Sequence, residues 1–555
     1  MICNYFKIAW RNIWKNKLFS FVNIMGLGLA IPFALLSLMQ VQSVFEYDNF
    51  HPEREKIYRV TTQIETPSGE KTKYGSSPMA VASRLREDYP FVEKATHTTR
   101  EFGWELNNSI KTIEVNPLFV EPDFFKIFAF PLRTGTIPDS PNTIVLSHEM
   151  AQIFFGDANP IGKTVTHHDY GELTITGVLQ PYEKTTHFRS DVLVSMATQS
   201  KFRDQNPQLD LTGYTYVKLQ NEENRKNLDA ALAAITANTN KLVQEKDEKR
   251  LFQSQAFDKI SPDFEELEDN PYVESLRDLS VNFFMALAII LLVSFNYTNL
   301  TLARSLNRAN EVGIRKVNGA SRNQLVWQFL CESILIALFA LVVGFFLLKI
   351  MEEFITVNWL TWEVDNYLIL WSVFISFTVL TSAVAGIIPA KILSRFSPAK
   401  VLKGNLNPAS FGKIGFRKSL VVIQFVVTAC FIFLIANMFS QFRYMATDNE
   451  NFNRKDIYNI SVRGDHTLMA NEIASHKNVE SVGFTSAPFG GTSMTAAIKE
   501  KKLDENFEAS YYAVDADFIK NMKLEIIAGE NLHETSGDST SNFIVVNEKT
   551  LFPWD

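Results

Sequence analysis

The sequence predicts an α-helical transmembrane protein with five spans, carrying α+β extracytoplasmic domains. Three observations predict it. Five apolar runs, at residues 18–45, 279–303, 323–348, 366–390 and 419–442, are each long enough at 1.5 Å per residue to cross a hydrocarbon core of roughly 30 Å. The short connectors between them alternate in sign: 304–322 and 391–418 are basic, whereas 352–365 is acidic and carries Trp359 and Trp362. Short loops rich in Lys and Arg stay inside, so the pattern predicts an inside N-terminus throughout. Lastly, 46–278 mixes strand-like and helix-like pieces with many Pro and Gly turns, which favours α+β over a regular parallel sheet.

Residues 1–17 read as an interfacial amphipathic helix. Phe6, Ala9, Trp10 and Ile13 share one face, while Lys7, Arg11 and Lys15 share another at i+4 steps. Span one, 18–45, is too long and too poor in a following cleavage pattern for a signal peptide. In 46–278, strands are expected at 57–64, 143–147, 173–179 and 214–219, and helices at 78–89, 148–155 and 228–242. The second span (279–303) and the third (323–348) flank the 304–322 connector. Arg308, Glu311, Arg315 and Arg322 lie there near helical spacing with Val312 and Val317 between them, which predicts a short amphipathic helix along the membrane plane. Gly319-Ala320-Ser321 then ends it, and Ser321-x-x-Gln324 caps the next helix. A fourth span (366–390), a basic linker (391–418) and a fifth span (419–442) follow, then soluble sequence from 443 to 555.

The 555 residues exceed what one core can organise. The net charge of −7 hides basic inner connectors and acidic long loops. Cys3, Cys331 and Cys430 all fall in or before apolar runs, so the long loops offer no disulfide framework, thiol nucleophile or Cys zinc site.

NEVGIRKVNGASRNQLVWQFLCES closely resembles the signature of FtsX-like ABC permeases, the family that includes MacB-type exporters and lipoprotein-release permeases. The matching positions are Glu311, Gly313, Ile314, Arg315, Lys316, Gly319, Ala320 and Ser321, then Gln328-Phe329-Leu330 and Glu332-Ser333. FVEPDFFKIFAFPLRTG and TIVLSHEMAQIFFGDANPIGKTV look like the extracytoplasmic domain of MacB-type permeases, and GIIPAKILSRFSPAKVLKG resembles the close of the family's four-helix unit. The resemblance implies that Glu311 to Ser321 rests on a cytoplasmic ABC ATPase. It implies a multi-pass protein of the cell inner membrane, bathed in lipid, with its large domain periplasmic. Other implied partners are a periplasmic adaptor protein and a second permease unit; nothing points to nucleic acid. The substrate class stays open among peptides, antibiotics, lipoproteins and envelope components. The competing reading is a regulatory transmembrane protein that senses a ligand or controls a cell-wall hydrolase.

The repeat within the chain begins a second copy of span plus outer domain, but departs from the family's two-unit pattern, which the resemblance implies would end with three more spans and a second coupling connector. Val514-Asp-Ala-Asp-Phe-Ile matches Val120-Glu-Pro-Asp-Phe-Phe, Gly529 follows Asp517 as Gly135 follows Asp123, and Asn542-Phe-Ile-Val-Val-Asn matches Asn142-Thr-Ile-Val-Leu-Ser after a short insertion. Residues 443–555 are therefore expected to be an incomplete second periplasmic domain, in a fragment or a truncation whose second permease unit comes from a missing C-terminal half or by dimerisation.

No catalytic, cofactor or metal site is expected. The glycines of Gly156-Asp-Ala-Asn-Pro-Ile-Gly162-Lys163-Thr164 are spaced one residue too far apart for a phosphate loop, and a helix precedes them where a strand should. The segment reads as a turn, and ATP hydrolysis is expected in a partner. His167 and His168 are adjacent, and on a strand neighbours point to opposite faces, so they are expected to be poor joint ligands. Serines lack a nucleophile elbow. Glu332, about 15 Å along its helix from Arg322, is the one carboxylate well inside a span. Two positions are open for it: a mid-membrane lock on neighbouring helices, or a headgroup-level pair with a basic residue.

Overall fold

The computed structural model describes residues 2–66, 69–181, 186–199, 207–242, 248–270, 273–303, 305–354, 367–394 and 414–447, and shorter pieces of 452–548. Trp359, Trp362, Arg395, Lys400, Lys403 and Asn542 lie outside the described residues. Two compact units emerge, Met1–Val427 and Thr428–Asp555.

In the first unit, α1 (Ile2–Lys15) buries Ala9 and Ile13, and α2 (Lys17–Phe45) runs on through Pro32. The soluble domain follows as β1 (Ile57–Glu65), β2 (Lys71–Tyr74), α3 (Met79–Asp88), β3 (Val92–Arg100), β4 (Trp104–Asn107), β5 (Thr112–Val115), β6 (Pro117–Val120) and α4 (Phe124–Ile127). Next come β7 (Leu132–Gly135), β8 (Thr143–Leu146), α5 (His148–Phe155), β9 (Thr164–His167), β10 (Gly171–Leu179), β11 (Val192–Ser195) and α6 (Met196–Gln199). The domain closes with β12 (Tyr214–Leu219), α7 (Arg225–Asn240) and β13 (Lys249–Ala256).

These strands form one mixed sheet in the order β13-β1-β12-β3-β6-β11-β8-β10-β9-β4-β5, with β2 on β1 and β7 on β10. Only β6–β11 and β8–β10 pair in parallel. Helices and strands interleave in an antiparallel-dominated sheet, which is the α+β architecture. Side-chain alternation puts the faces of each strand into different cores. Phe119 of β6 packs with Trp104, Ile144 and Leu146, whereas its neighbours Leu118 and Val120 pack with Phe124, Phe128 and Phe188. Across β1, Tyr58 and Val60 meet α3 and α7 through Val81, Leu85, Leu228 and Leu232.

The chain returns through α8 (Leu276–Ala303), α9 (Ser305–Val317), α10 (Arg322–Phe354), α11 (Tyr367–Leu393) and α12 (Ile414–Thr447). Among the described residues, five helices are long and apolar enough to cross a membrane: α2, α8, α10, α11 and α12. Packing of α2 on α10 depends on missing side chains: a Cβ on Gly28 would lie 2.9 Å from Val343 Cγ1, and one on Gly344 would lie 3.2 Å from Pro32. Gly386 of α11 similarly clears Ser333 of α10. Small residues let helix backbones approach where no hydrophobic force separates helix from lipid. Polar ties add direction, with Tyr297 and Ser333 hydroxyls 2.6 Å apart and Thr298 Oγ1 donating to the Ala385 carbonyl at 3.1 Å.

In the second unit, β14 (Met494–Lys499) pairs antiparallel with β15 (Asn506–Tyr511), flanked by α13 (His466–Ala474) and α14 (Ala516–Asn521).

Candidate functional site

The connector between α8 and α10 is built from local rules. α9 stops in a Schellman motif, with Gly319 N donating to the Lys316 carbonyl and Ala320 N to the Arg315 carbonyl, both at 3.0 Å. Gly319 takes φ +89°, the left-handed conformation that closure demands. The next helix opens with a reciprocal cap: Ser321 N donates to Gln324 Oε1 at 2.9 Å and Gln324 N to Ser321 Oγ at 3.3 Å. Two helices joined by only residues 318–321, with both ends capped, make a stiff corner.

α9 has two sides. Val312 is buried with Leu325, Phe329, Ala390 and Leu393, which seats the helix on the ends of α10 and α11. Arg315 bonds Glu311 at 2.7 Å and Gln328 of α10. Ile314 and Val317 face outward, 54% and 63% exposed, beside the open Gly319. Lys316 is half-buried, and burial together with Arg322 pushes its ammonium below its ordinary value.

Glu332 is 4% exposed and takes both prongs of Arg308, at 2.9 Å from Nη1 and 2.5 Å from Nη2. Asn12 of α1 adds a weak third donor at 3.4 Å. One carboxylate on α10 therefore touches the connector helix and the N-terminal helix together. The sequence-derived positions fall into two groups: Glu311, Gly313, Arg315 and Glu332 on or near the seat, and Ile314, Gly319 and Ser321 toward the open side.

A second cluster, unsignalled in the sequence, lies where α2 meets the soluble domain. Asp48 and His187 are both buried, and Asp48 Oδ2 stands 2.5 Å from His187 Nδ1. His187 Nε2 meets the Tyr216 hydroxyl at 2.7 Å, and His51 Nε2 lies 3.5 Å from Asp48 Oδ1. Burial would raise the Asp48 carboxyl, but His187 and His51 outweigh it and hold the group well below the carboxylate range. Burial pushes the His187 imidazole below its ordinary value, with Asp48 opposing. A neutral His187 therefore donates from Nδ1 to the ionised Asp48 and accepts from Tyr216 at Nε2.

The expectation that His167 and His168 diverge is corrected. β9 ends at His167 and His168 already belongs to the turn, so strand alternation no longer applies and the ring centroids lie 4.8 Å apart. With Asp169 they bring three ligand atoms within 4.8 Å of one another; His167 is buried against Trp104 while the other two are exposed. Residues 156–163 form the turn between α5 and β9, and Thr164 opens β9.

Comparison with known proteins now bears on this geometry. The MacB-like periplasmic core domain family matches residues 20–235, and the FtsX-like permease C-terminal family matches residues 283–398 in tandem with it. The chain is an FtsX/MacB-type permease. The macrolide export ATP-binding/permease protein MacB of Neisseria gonorrhoeae is 24% identical to the permease over 233 residues. That match takes in 40% of the permease but spans only 33% of the relative. Among solved structures, a permease-protein domain from Porphyromonas gingivalis aligns with TM-score 0.33 and 22% identity, over 42% of the permease and 98% of that domain. The periplasmic region of MacB from Actinobacillus actinomycetemcomitans aligns with TM-score 0.27 and 17% identity, over 36% and 90%. By its two family matches and its long apolar helices, the permease is a multi-pass inner-membrane protein.

Proposed function

We propose that the permease carries the motion of a separate ABC ATPase across the inner membrane to its periplasmic domain, and so drives export or extraction of an envelope substrate. In this reading the N-terminus and α9 are cytoplasmic and the sheet domain is periplasmic. The observation that carries it is the corner at Gly319–Ser321 together with the Arg308–Glu332 pair: α9 offers Ile314 and Val317 outward while its other side is fastened to α10. An ATPase groove closing on that apolar edge would move α10 rather than bend a tether. Glu311, Gly313, Ile314, Arg315, Lys316, Gly319, Ala320 and Ser321 form the contact segment, and Glu332 fastens it.

The repeat supports reading residues 443–555 as part of a second periplasmic copy. Gly135 and Gly529 share φ values of +87° and +88°, and Lys126–Asp123 recurs as Lys520–Asp517 at 2.8 and 3.0 Å. A second permease unit and a periplasmic adaptor are the remaining expected partners.

The test is capture of the ATPase by affinity-tagged permease. Ile314→Asp, Arg315→Glu and Gly319→Pro should each lower ATPase recovery at unchanged permease yield. Undiminished recovery with all three rejects the contact.

A further inference from the structure

A continuous run of buried and half-buried polar side chains joins the outer end of α2 to the start of α8. It begins at Asp48, three residues past Phe45, and passes through His187 to the Tyr216 hydroxyl. Tyr216 lies opposite Arg59 in the β1–β12 ladder, and Arg59 lies opposite Gln255 in the β1–β13 ladder. Arg59, 1% exposed, donates Nε and Nη2 to Gln255 Oε1 at 3.0 and 2.7 Å and Nη1 to Asn270 Oδ1 at 2.7 Å. Asn270 Nδ2 donates to Asp263 Oδ2 at 2.6 Å. Asp263 is bound by its own backbone to the start of the next helix, its N donating to the Glu274 carbonyl and its carbonyl accepting from Leu276 N. A second tie is direct, from Ser261 Oγ to the Val44 carbonyl at 2.8 Å.

This material is costly for mere packing. A buried guanidinium whose partners are neutral amides, and an aspartate held by histidines, lose hydration that apolar side chains of the same size would not lose. Apolar contacts are also non-directional and let surfaces slide, whereas hydrogen bonds weaken steeply once distance or angle changes. A buried hydrogen-bonded network therefore resists shear where grease does not.

We propose that this run is a rigid splice that makes the outer ends of α2 and α8 and the strands β1, β12 and β13 move as one body, with His187, Arg59 and Asn270 as positioning residues. The role rests on the transmission reading above, for which it is the step between membrane helices and outer domain.

The test is hydrogen exchange on the full-length permease in lipid nanodiscs, comparing the unaltered chain with Arg59→Met and Asn270→Ala. The second variant guards against misfolding of the first, because Asn270 is only half-buried. A splice predicts roughly tenfold faster exchange at both 46–51 and 273–278 in either variant, although the hydrogen bonds described for both side chains go to Gln255, Asp263 and each other. Acceleration confined to the strands or loop around the substituted residue overturns it. With the partner ATPase added, ATP should alter exchange at 46–51, at 273–278 and in β12 in the unaltered chain, whereas in Asn270→Ala of unchanged thermal midpoint the change at 273–278 should no longer be matched by those in β12 and 46–51. An unaltered chain that ignores ATP removes the transmission reading, and the splice then stands or falls on the ATPase-free result alone.

Discussion

Arg308 and Glu332 meet as a two-pronged ion pair that locks α9 onto α10, both side chains at most 14% exposed. An unpaired buried charge is far costlier than a buried pair. Glu332→Gln should therefore destabilise the helical unit by about 3 kcal/mol, and Arg308→Gln by a similar amount. The double substitution should cost clearly less than the sum, since neither charge is then left alone. Thermal unfolding of the permease in detergent reads all three, and strict additivity would mean that the pair carries no coupling. Asn12→Ala, removing only a 3.4 Å contact, should cost about 0.5 kcal/mol or less.

Helix packing gives a paired comparison within one turn. A Cβ on Gly28 meets Val343 at 2.9 Å and the Ala340 carbonyl at 3.3 Å, while one on Gly26 meets nothing nearer than Val293 at 4.0 Å. Gly28→Ala should cost roughly 1–3 kcal/mol by forcing α2 and α10 apart. Gly26→Ala should be neutral or slightly stabilising, because alanine is the better helix former. Equal midpoints for the two variants would contradict this packing.

Local signals were legible in the sequence and distant pairings were not. Gly319 followed by Ser321-x-x-Gln324 announces a helix end and a fresh start, because both motifs are written within six residues. Long apolar runs likewise announce the spans, and 214–219 and 148–155 match β12 and α5 residue for residue. Glu332 stood out as a carboxylate in an apolar run, yet its partner depended on α9 folding back along α10, which spacing cannot reveal. Asp48 and His187 lie 139 positions apart on segments without regular structure, so no period could bring them together. The His167–His168 geometry failed for a boundary reason: alternation was applied one residue beyond the end of β9.

The repeat predicts unequal consequences at equivalent glycines. Gly135 and Gly529 both have positive φ, so alanine is strained at each, by roughly 1 kcal/mol. At Gly135 a Cβ would also lie 2.0 Å from the Thr176 carbonyl oxygen, whereas at Gly529 no atom of the described residues stands within 4 Å. Gly135→Ala should therefore unfold or severely weaken the first domain, by upward of about 3 kcal/mol, and Gly529→Ala should cost only the strain. Limited proteolysis of the two variants separates them; equal resistance would show that β7 does not approach β10 as closely as described.

Acid should loosen the α2–domain junction in two steps. The folded value of His187 lies below its unfolded value, chiefly through burial, so the folded state resists the proton. Its share of stability is complete above the ordinary histidine range and declines as pH falls through about 6.5. Asp48 is also held below its unfolded value, so its share is complete above the ordinary carboxylate range and is lost only in a lower window, as pH falls below about 4. Both losses run in the same direction, and between about pH 8 and pH 6 only the histidine step is crossed. The thermal midpoint of the soluble domain within the full chain should accordingly drop over that interval. His187→Gln, which cannot titrate and keeps one donor and one acceptor, should start lower at pH 8 yet flatten the dependence. A midpoint that rises toward pH 6, or a slope that survives His187→Gln unchanged, would show that the proton binds elsewhere.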